Sequence, residues 1–122
     1  MGLHIKDILF QKRVIIIDEL MNDYNANIIV QQLITLNDSS DKDIYIFINS
    51  AGGIVTSGFA VFDTIRWCKC DVNTICLNST AAFATLLLTS GTKGKRYAFL
   101  DSLIIPTQHI IAHNADGIVI YK

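Results

Sequence analysis

Two adjacent glycines, set between a strand-like run and a helix-like run, constrain this chain more than any other feature. Residues 44–48 read Ile-Tyr-Ile-Phe-Ile, a β-branched and aromatic run of strand type. Ala51-Gly52-Gly53 follows at once and marks a sharp turn, where paired glycines let the backbone bend and approach a neighbour closely. Gly58, Val61, Phe62 and Ile65 then recur on one face of a helix. A strand that leads straight into a helix finds its next partner by crossover, and so lies in a parallel sheet.

The same alternation extends over the chain. Residues 14–17 form a short β-branched strand. Asn22 or Asp23 is placed to cap a following helix, in which Ala26, Ile29, Val30, Leu33 and Ile34 keep helical spacing. Residues 37–40 are a polar loop and residues 72–77 a third strand. A third helix is expected over residues 80–90, capped by Ser79 or Thr80 and stopped by Gly91. Residues 96–100 and 103–105 read as short strands and residues 118–121 as an edge strand. The fold class is therefore α/β, with repeated βαβ units, a mainly parallel sheet and a single domain over residues 1–122.

Half of the residues are hydrophobic, 17% are charged and the mean hydropathy is +0.39. A small domain has too much surface to hide that much apolar mass alone, so the composition predicts an oligomer with large apolar contacts. A net charge of −1 gives no footprint for nucleic acid. The longest apolar run, residues 81–88, falls far short of the ~20 residues that cross a bilayer. Cys68, Cys70 and Cys76 are odd in number and suit a reducing compartment. Cys68-Lys69-Cys70 lacks the spacing and the second pair of a zinc site, so no metal or other cofactor is expected. Lys93-Gly94-Lys95-Arg96 lacks the upstream glycine and following hydroxyl of a P-loop and reads as exposed charge leading into a strand.

Two blocks, DIYIFINSAGGIVTSGFAVFDTIR at residues 43–66 and TICLNSTAAFATLLLTSGTKGKR at residues 74–96, resemble the proteolytic subunit of the Clp protease, the ClpP family. The resemblance reaches from about Leu9 to Gln108. It implies a ClpP/crotonase-like fold of ββα units. In that family the Gly-Gly loop, here Gly52-Gly53-Ile54, supplies one oxyanion donor and an edge of the peptide groove. The amide after the nucleophilic serine supplies the second donor, which falls on Phe83.

Aligned without gaps on Cys76 and on Lys93–Arg96, the position of the family's nucleophile is Ala82, and that of its histidine is Thr107. The third triad member falls beyond Lys122. Triad members act as a unit, so their replacement predicts a chain that is not an enzyme. Ser79, three residues before Ala82, is expected about one helical turn away, roughly 5 Å, too far to stand in. Ser90 is remoter. His109 would lie roughly 7 Å along a strand from Thr107, and His113 and His4 are further still. An aromatic ring at Phe83 is expected to fill the pocket beside the vacant position.

The resemblance is closest to the inactive ClpR-type paralogues. It implies a homo- or hetero-heptameric ring with ClpP-type subunits and a docked Hsp100-type ATPase unfoldase. It also implies a plastid location, apicoplast or chloroplast stroma, with the cytoplasm as the alternative. Residues 1–13 lack the character of a transit peptide, so a plastid protein is expected here in its mature form or as a trimmed chain. Met1–Lys6 is short for a family axial loop, and the family's handle helix and C-terminal segment are absent from the chain as it stands. Two other readings remain: a serine endopeptidase with displaced residues, and a crotonase-type acyl-CoA enzyme using Glu19, Asp101 or Asp116 as its carboxylate.

Overall fold

Ile44, Ile46 and Ile48 are fully buried while Tyr45, between them, is exposed, as strand periodicity demands. The computed structural model describes the backbone of residues 2–105 and 118–121, with side-chain surroundings for residues 5–105. Element order is α1 (Gly2–Gln11), β1 (Val14–Ile17), α2 (Asp23–Ser39), β2 (Ile44–Ser50), α3 (Val55–Trp67), β3 (Val72–Thr80), α4 (Phe83–Thr89), β4 (Arg96–Phe99), β5 (Leu103–Ile104) and β6 (Ile118–Tyr121). The sheet runs β1-β2-β3-β4-β6 and every pairing is parallel. β5 pairs with β3 through Ser79–Leu103 and Thr80–Ile104, past the end of β4. The expected parallel α/β architecture is present, with residues 118–121 as an edge strand.

One face of the sheet carries Ile44, Ile46, Ile48, Val72, Thr74, Cys76 and Ala98, all buried under α2, α3 and α4. Ala26, Ile29, Leu33 and Leu36 of α2 and Val61, Phe62 and Ile65 of α3 complete this core. Each fully buried isoleucine contributes roughly 1.5–3 kcal/mol relative to exposure. The opposite face shows Tyr45, Leu77 and Phe99, each more than two-fifths exposed.

Asn22 resolves the capping alternative. Its side chain accepts from the Asn25 amide at 2.9 Å, and the Asn25 side chain accepts from the Asn22 amide at 2.8 Å. This reciprocal box satisfies two amides that a helix start leaves open.

Three sequence expectations are corrected. The third helix begins at Phe83, not at residue 80, because ladder pairing to β5 keeps Ser79 and Thr80 in the strand. Neither hydroxyl therefore caps α4, whose N-cap position is Ala82 with no side-chain cap. Gly91 is not a left-handed stop: it is absent from the positive-φ residues, and a Cβ there would sit 2.4 Å from Thr74 Oγ1. Close packing against β3 requires that glycine. The sequence does not declare helix α1; among its described side chains, Phe10 near its end packs against the core.

Candidate functional site

The ends of β2 and β3 carry the two turns that make the site. Ser50 closes β2 and binds it to both neighbours. Its hydroxyl donates to the Glu19 carbonyl at 2.7 Å and accepts from the Gly52 amide at 3.2 Å. Its carbonyl accepts from the Ala81 amide at 3.1 Å, which ties the β2–α3 turn to the β3–α4 turn.

Gly52 and Gly53 have φ of 112° and 123°, a region favourable only to glycine. The Met21 amide donates to Gly52 O at 2.7 Å, and the Ile54 amide donates to Met21 O at 2.8 Å. This short bridge pins the turn so closely that a Cβ on Gly53 would lie 2.3 Å from Met21 N. A Cβ on Gly52 would lie 3.2 Å from Phe83 N. The glycine turn thus abuts the first turn of α4 backbone to backbone.

Ala82 stands at the crest of the second turn, with φ 50° and ψ −130°. A non-glycine residue there is strained by roughly 1–3 kcal/mol. The conformation matches the sharp strand-to-helix elbow that presents a nucleophile in hydrolases. Here it presents an exposed methyl group. Among the described residues, neither the Gly53 nor the Phe83 amide donates to an acceptor. The outcome is a pair of neighbouring open amides beside an exposed elbow, able to polarise a carbonyl or hold a carboxylate.

The Phe83 ring does not fill this space. It is buried between α3 and α4, edge-on to Phe59 at a centroid distance of 4.8 Å. It lies so close to Gly58 that a Cβ on Gly58 would meet its Cδ1 at 2.4 Å. The expectation of a plugged pocket is corrected: the ring serves helix packing, and Ala82 stays open. Ile54, the third member of the expected groove, is exposed at the start of α3.

The remaining candidates are dispersed. Ser79 lies half-buried in β3, and Ser90 is buried at the far end of α4, donating to Leu87 O at 2.5 Å. His4 lies on α1. Thr107, His109, His113 and Asp116 fall outside the described residues. Asp101 is exposed on the turn after β4, and Glu19 is exposed near Ser50, which binds only its main chain. No cluster of metal-ligating side chains occurs among the described residues, and no helix among them is long and apolar enough to cross a membrane.

In the Lys93–Arg96 run Lys93 is exposed and Arg96 opens β4, as expected, while the partly exposed Lys95 bridges Asp43 at 2.8 Å and Asp71 at 2.9 Å. The Lys95 and Asn73 hydrogen bonds hold the Asp43 carboxyl below its usual range, and the two carboxylates raise the Lys95 ammonium above its own. Arg96 Nε donates to Gly91 O at 2.9 Å, beyond the end of α4.

Comparison with known proteins agrees with this geometry. A family model described as Clp protease matches residues 2–121. The crystal structure of the ClpP protease catalytic domain from Plasmodium falciparum superposes with a TM-score of 0.78 at 35% sequence identity. The match covers 81% of this chain and 54% of that one, so the chain spans about half the length of that relative.

Proposed function

The chain belongs to the Clp protease family, and from that premise we propose that it is a non-catalytic subunit of an ATP-dependent Clp protease complex, of the ClpR type. One observation carries the reading: the elbow at Ala82 keeps the strained backbone and the two open amides of a hydrolase site, yet ends in a methyl group. Acyl transfer needs a nucleophile aligned with its base and with the oxyanion donors. The vacancy at Ala82 removes the first, and Thr107 at the histidine position supplies no base.

The subunit's role is then structural or regulatory within protein degradation. The uncovered sheet face with Tyr45, Leu77 and Phe99 supports assembly into a homo- or hetero-heptameric ring with ClpP-type subunits. An Hsp100-type unfoldase is the expected ATP-driven partner. We place the assembly in a plastid, a reading supported by the ClpR-type resemblance and by twenty isoleucines in 122 residues.

The deciding experiment is intact-mass analysis after treatment with a fluorophosphonate probe, beside an active Clp peptidase. No adduct on this chain is expected under conditions that label the control stoichiometrically. A stoichiometric adduct on Ser79 or any other serine would make it a working serine endopeptidase. Co-purification with ClpP-type subunits tests the assembly.

A further inference from the structure

A groove runs along the outer edge of β1 and ends at Met21, whose main chain pins the glycine turn. It measures about 400 Å³ and runs between α1 and the first half of α2. Its floor is aliphatic: Val14, Ile15, Ile16 and Ile17 of β1, Leu9 of α1 and Ile28 of α2.

Among the described residues β1 is an edge strand that pairs with β2 alone. The Tyr45 amide donates to Arg13 O at 2.9 Å. Alternate residues of a parallel strand face the same neighbour, so Ile15 and Ile17 also turn their peptide groups toward β2. The N–H and C=O groups of Val14 and Ile16 therefore face away from the sheet, into the groove. An uncovered edge of this kind is a template for one more strand.

The rim has a definite sign. Asp7, Asp18 and Glu19 border the groove with a single cation, Lys6. Lys6 lies 3.8 Å from Asp18 with both side chains about half exposed. Asp7 and Glu19 have no ion-pair partner among the described residues. Three carboxylates against one ammonium favour a cationic occupant.

We propose that this groove docks an extended peptide segment of a partner protein by strand addition to β1, selecting aliphatic side chains at alternate positions and a flanking Arg or Lys. Backbone pairing to Val14 and Ile16 supplies affinity, the aliphatic floor supplies side-chain selection, and the acidic rim fixes the basic end. Nothing in this mode requires a nucleophile, so it operates whether or not the elbow is catalytic.

The test is fluorescence anisotropy with a labelled hexapeptide, Arg-Ile-Thr-Val-Thr-Arg, titrated with the purified chain. Saturable binding is expected, at least tenfold weaker for the same peptide N-methylated at alternate amides and for a version with both arginines replaced by glutamate. Ile16→Pro removes an outward donor without touching the β2 ladder and should weaken binding to a similar degree. Asp7→Lys with Glu19→Lys, both at exposed positions, should do so without loss of thermal stability and should reverse the preference toward the glutamate peptide. Absence of saturable binding, or equal affinity for the N-methylated peptide, would overturn the proposal. So would sedimentation showing that a second copy of this chain occupies the edge and excludes the peptide.

Discussion

Arg13 Nη1 donates to the Leu36 carbonyl at 2.8 Å, reaching across 23 residues to the C-terminal turn of α2. The same guanidinium meets Ser39 Oγ at 3.0 Å, Ser40 O at 3.2 Å, Lys42 O at 2.8 Å and Asp43 O at 3.3 Å. Carbonyls left open by a helix end are the natural acceptors for a cation, and the helix dipole favours positive charge there. Arg13 is nine-tenths buried and holds a left-handed φ of 64° to achieve this. Arg13→Ala should destabilise the fold by ~2–4 kcal/mol, because the buried Leu36 carbonyl and three partly buried ones lose their donor at once. Arg13→Gly should cost less by ~0.5–1 kcal/mol, since glycine relieves the backbone strain. Urea denaturation of the two variants measures both; equal stability would show that the dihedral carries no strain.

The helix-face glycine of α3 is a packing requirement. A Cβ at Gly58 would stand 2.4 Å from Phe83 Cδ1. Alanine is intrinsically the better helix former by about 1 kcal/mol, but overpacking of this kind costs ~1–3 kcal/mol. Gly58→Ala should therefore be destabilising, and Phe83→Leu should rescue it in part. A double-mutant cycle reads the coupling; strict additivity of the two changes would contradict the contact.

Much of the fold was legible because its signals are local. Alternating Ile44, Ile46 and Ile48, the Gly52-Gly53 turn and the spacing of Val61, Phe62 and Ile65 each declare their element within a few residues. What escaped notice depends on distant partners. Ser79 and Thr80 have the chemistry of a helix cap, but β5 draws them into the ladder 24 residues away. Arg13 reads as an ordinary charge beside a strand until the end of α2 folds over it. Phe83 was expected in the groove because it neighbours Ala82 in sequence. A helical first turn sends adjacent side chains in different directions, and the vacant space above Gly58 takes the ring. Gly52 and Gly53 stand on one turn and Ala82 on the turn that abuts it, outside the helix expected over residues 80–90, and the strain at Ala82 has no sequence signature.

That strain gives a third prediction. Ala82 occupies φ 50°, ψ −130°, and its Cβ is the atom nearest to any Cβ placed on Gly52. Ala82→Gly should stabilise the chain by about 1 kcal/mol: the relief of roughly 1–3 kcal/mol of strain exceeds the 0.4–1 kcal/mol lost to a freer unfolded chain. Ala82→Val should destabilise it, since a β-branched residue tolerates positive φ worst. Thermal melts of the pair decide; a less stable glycine variant would mean that the elbow is unstrained.

Stability should have an acid limb and an alkaline limb with assigned groups. The Asp43 carboxyl is depressed by its bonds to Lys95 and Asn73. Its contribution is present above the unfolded value near 3.9 and is lost as pH falls through the lower folded value. Lys95 is raised by Asp43 and Asp71, so its contribution holds below about 10.4 and disappears as pH rises through the folded value. Asp43→Asn should flatten the acid limb of a stability-versus-pH curve and lower the folded pKa of Lys95. An unchanged acid limb would assign it to other carboxylates.

Cys68 gives the clearest chemical readout. Burial, followed by the proximity of Cys70, pushes its thiol up to about 11. Only the thiolate reacts with alkylating agents, and an unperturbed cysteine titrates near 8.5. At pH 8 the Cys68 thiolate fraction should therefore be smaller than that of a free thiol by a factor on the order of a hundred. All three cysteines are unpaired by disulfides, and Cys70 and Cys76 are buried, so native iodoacetamide labelling should be slow at every site. The rate at Cys68 should climb steeply above pH 9, well before global unfolding exposes the other two. Peptide mapping of the labelled chain measures this site by site. Labelling of Cys68 at the free-thiol rate at pH 8 would mean that the end of α3 opens in solution far more readily than its packing against Arg13 and Cys70 implies.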